Sequence, residues 1–244
     1  MKEQTNLGKW TQEALDILLR ESSSINDAGK RIDFLSAKFL GAPYMEATLT
    51  GHANTPEVFV INLESVDCFT FIDYIEAMRI SGSFSEFKEN LRKIRYRSGD
   101  VSYENRNHFF TDWREYNSDL IDDITERLGK GKSAQVKKTL NRKNDGTCFI
   151  PGISFRERQI VYIPAENVDD TATGNLKTGD YIGIYSEKPG LDVSHIGIAI
   201  KDASAVFFRH ASTKSMKVID EDFRKYLSGK PGIIVFRAMA EQGR

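Results

Sequence analysis

Apolar residues recur at helical spacing in the first half of the chain and alternate with polar residues in the second half. The pattern predicts two amphipathic helices within the first forty residues, because apolar side chains return there every three or four positions. They are marked by Trp10, Ala14, Leu15, Leu18 and Leu19, and then by Ile32, Leu35, Phe39 and Leu40. The sequence Gly41-Ala42-Pro43 is expected to end the second helix.

A third predicted helix begins at a cysteine and follows the β-prone run 58–61. Its apolar positions are Cys68, Phe71, Ile72, Ile75 and Met78. Ser65 or Asp67 is expected to cap this helix, which puts Cys68 in the first turn. Unpaired N–H groups and the helix dipole favour the thiolate form of a cysteine there. The alternative is a small buried hydrophobe, the usual role of a free cysteine.

The middle of the chain predicts further helices and a basic segment. Ser83-Phe84-Ser85-Glu86 has the form of a capping box, which indicates a helix beginning there. Residues 96–110 are polar and aromatic, and residues 119–128 have a helical pattern that Gly129 is expected to end. The strongly basic segment 130–143 is typical of a solvated face or of a strand at a sheet edge.

Alternating positions in the last third of the chain predict strands separated by turn residues. The predicted strands cover 159–163, 180–185, 195–200, 206–210 and 232–237, and a short helix covers 220–227. Helices followed by antiparallel strands indicate an α+β fold. We predict one domain over 1–244, since no Pro- or Ser-rich linker divides it. Its parts are an N-terminal helical part (1–60), a helical insertion (83–130) and an antiparallel sheet (155–240).

Composition excludes several classes of function. The 244 residues are 40% hydrophobic, which is ample for a core, and the formal net charge of −1 argues against nucleic acid or an anionic membrane as the main partner. No apolar run is long enough to span a bilayer. Two cysteines, Cys68 and Cys148, do not form a disulfide framework, although one bridge is possible in an exported protein and would prevent Cys68 from acting as a nucleophile.

Two of the four histidines stand at the ends of predicted strands. His195 opens one strand and His210 closes the next. If the strands pair as a hairpin through the turn near Asp202 and Ala203, both imidazoles lie at the same end of the sheet. A cysteine nucleophile needs a base, and the base needs a group that orients it. Cys68, His195 and His210 can fill these roles in that order; two solvent-exposed histidines are the alternative.

Four short motifs in this order resemble the NlpC-type papain-like cysteine amidases and peptidases. They are Asp67-Cys68, Thr178-Gly179-Asp180-Tyr181-Ile182, Ser194-His195-Ile196-Gly197-Ile198 and His210-Ala211. The resemblance implies a papain-like core, in which the nucleophile helix packs on an antiparallel sheet. It also implies Cys68 as the nucleophile, His195 as the general base and His210 as the orienting residue, with no metal or other cofactor.

The long segment between Cys68 and His195 departs from compact members of that superfamily. It is similar to a bacterial branch of N-acetylmuramoyl-L-alanine amidase-like proteins, formerly a domain of unknown function. This resemblance implies cleavage of the amide between muramic acid, including its anhydro form, and L-alanine of the stem peptide. The superfamily at large more often cuts the stem peptide after D-glutamate. A non-catalytic muropeptide-binding module and a zinc hydrolase using Cys68, His195, His210 and His108 are alternatives from other classes; no zinc-type spacing supports the latter.

The insertion supplies candidate substrate-binding residues around His108. Arg106 could pair with a substrate carboxylate, and Trp113 could stack on a sugar face. The structural alternatives are an ion pair of Arg106 with Asp112 and a core tryptophan. Glu64 and Ser194 flank the catalytic positions in sequence and could line the same cleft, or be solvated or capping residues.

The expected partners are peptidoglycan fragments, which follow from the resemblance. We therefore expect the periplasm or cell envelope, with Met1 replacing a removed signal, because the N-terminus has no basic-then-apolar signal pattern. A cytoplasmic recycling role is the alternative. The sequence predicts no oligomeric state.

Overall fold

Helices precede and flank a large sheet in the computed structural model, which describes residues 2–203 and 205–240. The helices are α1 (Gln12–Ser23), α2 (Ala28–Ala37), α3 (Cys68–Arg79), α4 (Phe84–Arg95), α5 (Phe110–Tyr116), α6 (Thr125–Gly129), α7 (Asp170–Asn175) and α8 (Phe223–Leu227). The strands are β1 (Glu3–Asn6), β2 (Thr50–His52), β3 (Thr55–Asn62), β4 (Ile121–Asp123), β5 (Ala134–Leu140), β6 (Arg156–Pro164), β7 (Tyr181–Tyr185), β8 (Val193–Lys201), β9 (Val206–Ser212), β10 (Lys217–Asp222) and β11 (Gly232–Ala238).

Two sheets organise these strands. The larger has the order β10-β9-β8-β7-β11-β6-β5, with β4 paired to the end of β11, and all its pairs are antiparallel. The smaller has the order β1-β3-β2. The predicted α+β fold is therefore confirmed. The basic segment forms β5 at the edge of the larger sheet, where lysines are common because they discourage pairing with another chain.

Helix α3 is the central helix, since it contacts α1, α2, α4 and the strands β8 and β9. Its apolar residues Phe71, Ile72, Tyr74, Ile75 and Met78 are fully buried. Burial of each such side chain contributes about 1.5–3 kcal/mol to folding. Helix α3 is consequently held in place from all sides, and its first residue is held with it.

Two predicted helices are shorter than expected because their first residues pair as strands. Residues 119–128 contain β4, which pairs with Phe236–Ala238 of β11, and only then α6. The helix ends at Lys130 in a left-handed conformation, and Gly129 is its last residue. Residues 220–227 likewise begin in β10, whose hydrogen bonds with β9 take precedence over helix formation. Strand β4 pairs with β11, which lies far along the chain, and β10 pairs with the preceding strand β9. Local periodicity reports neither pairing.

Strand β1 has no counterpart in the sequence prediction. All four of its residues are exposed, so it shows no alternation of apolar and polar positions. It pairs in parallel with β3, from Glu3 opposite Phe59 to Asn6 opposite Asn62. Backbone pairing with β3, and polar contacts of Glu3 with Lys88 and of Asn6 with Glu64, therefore place this strand.

Candidate active site

Cys68 is the first residue of α3, and the preceding carboxylate caps the helix. Asp67 Oδ1 accepts hydrogen bonds from the N–H groups of Phe69 (2.9 Å) and Thr70 (2.7 Å), and the Asp67 N–H donates to Thr70 Oγ1 (3.0 Å). This reciprocal capping box settles the choice between Ser65 and Asp67 as the cap. It holds the backbone of Cys68 in one orientation.

The Cys68 thiol is protonated in the free protein. Burial raises the pKa of this thiol to about 12, and the neighbouring Asp67 carboxylate adds to the rise. The backbone N–H groups of Ile196, Cys68 and Phe69 act in the opposite direction and lower the pKa of the thiol. The helix-start N–H groups therefore favour the thiolate as expected, but the loss of solvent outweighs their effect. Cys68 needs a base to become a nucleophile.

His195 and His210 meet on adjacent strands, as the predicted hairpin requires. Strands β8 and β9 are antiparallel, with Ile198 opposite Arg209. His195 Nε2 lies 2.8 Å from His210 Nδ1, and the rings are perpendicular with centroids 4.9 Å apart. Helix α3 packs on β8, and the Ile196 N–H that acts on the Cys68 sulfur belongs to the residue after His195. The thiol and the histidine pair thus lie in one site.

Both imidazoles are neutral at physiological pH. Burial, His210 and Lys230 lower the pKa of His195 to about 3. Burial also lowers the pKa of His210, although the Glu221 and Asp220 carboxylates oppose this effect. Each histidine therefore has one protonated and one unprotonated ring nitrogen, which allows a single hydrogen bond between them.

Glu221 faces the outer nitrogen of the histidine pair. His210 Nε2 is buried, has no hydrogen-bond partner within the described residues, and lies 3.6 Å from Glu221 Oε2. Glu221 belongs to β10, the strand beyond β9. A proton on His210 Nε2 would point at this carboxylate and be stabilised by it.

A pocket of about 640 Å³ opens at the start of α3, lined there by Asp67 and Phe69, the two neighbours of Cys68; Cys68, His195 and His210 are not among its described lining residues. The start of α3 and the connector before β3 form part of its wall, and the segment after α4 forms the rest. Its lining residues are Ala47, Thr48, Leu49, Thr50, Gly51, His52, Thr55, Asp67, Phe69, Thr70, Asp73, Arg95, Arg106, Asn107 and His108. The insertion that supplies the candidate substrate-binding residues therefore contributes Arg106, Asn107 and His108 to this pocket.

Arg106 and His108 lie in this pocket, but each is already bonded within the protein. Arg106 Nη1 donates to Glu57 at 2.9 and 3.2 Å, so its ion-pair partner is Glu57 and the suggested pair with Asp112 is wrong. His108 Nε2 lies 2.8 Å from the Tyr103 carbonyl oxygen. Burial, with Arg106 as a lesser cause, lowers the pKa of His108 to about 4, which keeps its ring neutral.

Trp113 is a core residue. Its side chain is 0% exposed, its ring packs against Phe110 and Tyr181, and its Nε1 donates to Asp73 Oδ1 at 3.1 Å. The suggestion that it stacks on a sugar is therefore wrong in this conformation, because no face of the indole reaches solvent.

Glu64 and Ser194 lie away from the pocket. Glu64 Oε2 accepts a hydrogen bond from Asn6 Nδ2 at 2.7 Å, and the residue lines a separate groove with Trp10 and Pro43. Ser194 is exposed on β8, next to His195, and strand alternation directs the two side chains to opposite faces. The capping or solvated alternative describes both residues.

Several absences hold for the part of the chain that the structure describes. Cys68 and Cys148 are both free thiols there. Within 2–203 and 205–240, no three His, Cys, Asp or Glu side chains form a group that could hold a metal ion. In the same residues, no helix combines the length and apolar character that a membrane span needs.

Three residues of the site escaped sequence reasoning. Tyr226 packs against both imidazoles, with centroid distances of 6.1 Å to His195 and 4.9 Å to His210. Glu221 faces His210, and Arg95 lines the pocket from the end of α4. Each looks like an ordinary amphipathic or surface residue in the sequence, and only strand order and helix packing bring it to the site.

Comparisons with known proteins find similar structures and a matching family. Two solved structures of an N-acetylmuramoyl-L-alanine amidase from Bacteroides uniformis are similar to the chain. One has 28% identity and a TM-score of 0.71, covering 87% of this chain and 99% of that one. The other has 26% identity and a TM-score of 0.70, covering 86% and 98%. A Legionella pneumophila protein has 23% identity and a TM-score of 0.80 over 93% and 94%, which shows a shared fold.

None of the curated proteins matches the sequence. The family model described as AmiA-like, N-acetylmuramoyl-L-alanine amidase-like, matches residues 34–233. The match begins within α2 and ends within β11, so it includes Cys68, His195 and His210. The expected amidase-like branch is thereby confirmed: the chain belongs to the AmiA-like family of N-acetylmuramoyl-L-alanine amidase-like proteins.

Proposed function

We propose that this chain is a cysteine amidase that hydrolyses the amide between N-acetylmuramic acid, including its anhydro form, and L-alanine of the stem peptide. The observation that carries the proposal is that the helix-start thiol of Cys68 lies beside the backbone N–H of Ile196, the residue after His195, whose ring is hydrogen-bonded to His210. Family membership supports peptidoglycan as the source of the substrate.

The proton positions follow from the neutral state of the three groups. His195 Nε2 bonds to His210 Nδ1, so Nδ1 is the ring nitrogen of His195 that remains for the thiol proton. To accept that proton, His195 must carry its own on Nε2 and donate it to His210 Nδ1. His210 then carries its proton on Nε2, facing Glu221. Glu221 is therefore a positioning residue that stabilises this arrangement of protons.

The reaction is acyl transfer through a thioester. His195 Nδ1 takes the Cys68 proton as the sulfur attacks the carbonyl carbon of the muramoyl lactyl group. The C–N bond breaks as His195 returns the proton to the L-alanine nitrogen, which leaves as a free amine. His195 then takes a proton from water, the resulting hydroxide attacks the thioester, and the products are a muramic acid carboxylic acid and the restored thiol.

The oxyanion needs backbone donors at the helix start. In the described part of the chain, Asp67 takes the N–H groups of Phe69 and Thr70, which leaves that of Cys68 for the oxyanion. One preorganised donor of this kind contributes about 2.7–4 kcal/mol to stabilising the transition state.

The proposal also includes the domain organisation of the chain, its location and the type of its core. The core has two hydrophobic clusters, and β11 contributes to both, with Ile234 and Phe236 in one and Ile233 and Val235 in the other, which supports a single catalytic domain. Peptidoglycan is met mainly in the envelope, so we keep the periplasm or cell envelope as the proposed location. We also propose a papain-like core, because α3, which begins with Cys68, packs on the strands β8 and β9 that carry His195 and His210.

Mass spectrometry of products from a defined muropeptide tests the proposal. Release of an intact stem peptide beginning with L-alanine is the expected result, and a product in which L-alanyl-D-glutamate is still joined to muramic acid would move the chain to the endopeptidase class. Cys68→Ala should abolish release. Cys148→Ala is the matched control, since Cys148 is also a half-buried free thiol but is not in the site. Full activity of Cys68→Ala would contradict the proposal.

A further inference from the structure

Three residues that line the pocket at the start of α3 each have a buried polar atom with no hydrogen-bond partner within the described residues. The atoms are Arg95 Nη2, Asn107 Oδ1 and Thr48 Oγ1. Arg95 is 1% exposed and Asn107 is 4% exposed, so neither is a solvated surface group. Leaving such a group without a partner costs about 1–3 kcal/mol, which an occupant of the pocket can recover. We call Thr48, Arg95 and Asn107 the Arg95 subsite.

The guanidinium of Arg95 is held rigidly with one nitrogen to spare. Its Nε donates to Asp73 Oδ2 at 2.8 Å and its Nη1 donates to the Val60 carbonyl oxygen at 2.6 Å. Its cationic carbon lies 5.2 Å from the centre of the Tyr74 ring. Because these contacts fix the plane of the guanidinium, Nη2 is a preorganised donor for a ligand.

The amide of Asn107 is oriented by its own contacts. Its Nδ2 donates to the Ile94 carbonyl oxygen at 2.9 Å, and its backbone N–H donates to the Arg95 carbonyl oxygen at 2.9 Å. Since the nitrogen end must face a carbonyl, the other end is the oxygen, which can only accept. The subsite therefore offers one strong donor, one acceptor and the adaptable hydroxyl of Thr48.

The charge of the pocket favours an uncharged ligand group. Asp73 balances Arg95, and Glu57 balances Arg106. Burial raises the pKa of Asp73 to about 6 against the opposing effect of Arg95, so Asp73 is ionised at neutral pH. The Asp67 carboxylate also lines the pocket, so the lining carries no excess positive charge for a carboxylate.

We infer that the Arg95 subsite binds an uncharged secondary amide of the substrate. Its carbonyl oxygen accepts from Arg95 Nη2, and its N–H donates to Asn107 Oδ1. Besides the amide that is cleaved, two parts of a muropeptide carry this chemistry: the acetamido group of the sugar and a peptide bond of the stem. The inference rests on the proposed function for the identity of the ligand, because Asp67 and Phe69, the neighbours of Cys68, line the pocket.

Binding measured without turnover separates this inference from the proposed function. Titration calorimetry gives the Kd of N-acetylmuramoyl-L-alanyl-D-glutamate for the Cys68→Ala protein. Adding Arg95→Lys keeps the positive charge beside Asp73 and removes Nη2, and we expect the Kd to rise about 10- to 100-fold, as for loss of a hydrogen bond from a charged donor. The matched control is Arg92→Lys, which changes an arginine of the same helix whose Nε is also buried and unpartnered but which does not line the pocket.

Ester analogues identify which amide is bound. In one, an acetoxy group replaces the acetamido group of the sugar; in the other, an ester replaces the peptide bond between alanine and glutamate. The ester at the bound position should raise the Kd several-fold because it removes the N–H, and that loss should vanish in Asn107→Leu. An acetoxy effect assigns the sugar and a depsipeptide effect assigns the stem, and either supports the subsite.

A set of opposite results would overturn the inference. Equal Kd values for Arg95→Lys and Arg92→Lys in folded protein would do so, as would equal binding of the amide and both esters. If Arg95→Lys fails to fold, as judged by its melting temperature, Thr48→Val serves instead, since it removes a pocket hydroxyl and keeps the side-chain shape. An unchanged Kd for Thr48→Val would then count against the subsite. The test measures binding and not turnover, so its result can be interpreted even if the amidase assay shows no activity.

Discussion

The Cys68 thiol should react slowly with alkylating agents at neutral pH. Its pKa is raised from an ordinary value of 9.0 to about 12, which lowers the thiolate fraction about a thousandfold relative to an ordinary cysteine. The rate of alkylation by iodoacetamide should therefore rise about tenfold for each pH unit between pH 7 and 10, without a plateau. Peptide mapping in a Cys148→Ala background isolates the rate at Cys68.

Removing the charge beside the thiol should make it more reactive. Asp67→Asn keeps an oxygen that can cap α3 but removes the carboxylate that raises the pKa of Cys68. We expect that pKa to fall by on the order of one unit and alkylation to accelerate about tenfold at a given pH. Glu64→Gln is the matched control, since Glu64 is also close in sequence but its carboxylate bonds to Asn6.

Two results would refute this reasoning. One is a rate plateau that begins below pH 7 in the unsubstituted protein, since it would reveal a preformed thiolate. The other is an unchanged rate for Asp67→Asn when circular dichroism shows that its helices are intact.

The remaining predictions concern the histidine pair and the core beneath it. Because burial keeps His195 neutral to about pH 3, kcat/KM should show no loss near pH 6.5, and an acid limb at that pH would contradict the structure. His210→Ala should lower kcat on the order of 100-fold by freeing the base to rotate, and an unchanged kcat would remove His210 from the mechanism. Glu221→Gln should lower kcat up to about tenfold with KM unchanged, whereas Asp222→Asn on the same strand should have no effect; equal values for the two would exclude the positioning role. Trp113→Phe should lower the free energy of unfolding in urea by about 1–3 kcal/mol, since a buried carboxylate loses its indole donor, and an unchanged midpoint would contradict that bond.

The elements that carry the chemistry could be predicted because their signals are local. The apolar spacing of α3 and the cap before Cys68 lie within a few residues of one another. The hairpin that joins His195 to His210 needs only two adjacent strands and the turn between them. Neighbouring strands usually pair, so the order of β8 and β9 along the chain was enough to predict that His195 and His210 lie close together.

The properties that depend on distant contacts could not be predicted in the same way. The helix-start argument gave the direction in which the N–H groups act on Cys68, but it could not show that burial dominates the pKa of the thiol. Arg106 finds Glu57 on β3 and not the nearby Asp112, which bonds to Arg156 and Arg158 of β6. Sequence separation does not tell which of several carboxylates an arginine will reach.

The position of Arg95 in the pocket could not be predicted from the sequence for the same reason. In the sequence Arg95 is one of several basic residues in the last turn of an amphipathic helix. It lies in the core only because α4 packs against α3, where Asp73 fixes it. Helix packing therefore determines that Arg95 lines the pocket. Arg92 and Lys93 are basic residues of the same helix turn, but they do not line the pocket.

Trapping the acyl-enzyme tests the central claim most directly. The protein is mixed with N-acetylmuramoyl-L-alanyl-D-glutamyl peptide, quenched in acid within the first turnover, digested and mapped by mass spectrometry. We predict a muramoyl group on the peptide that contains Cys68, lost on treatment with hydroxylamine and missing in Cys68→Ala. A muramoyl-L-alanyl-D-glutamyl adduct on Cys68 would contradict the proposed bond, and turnover without any adduct on Cys68 would contradict its role as the nucleophile.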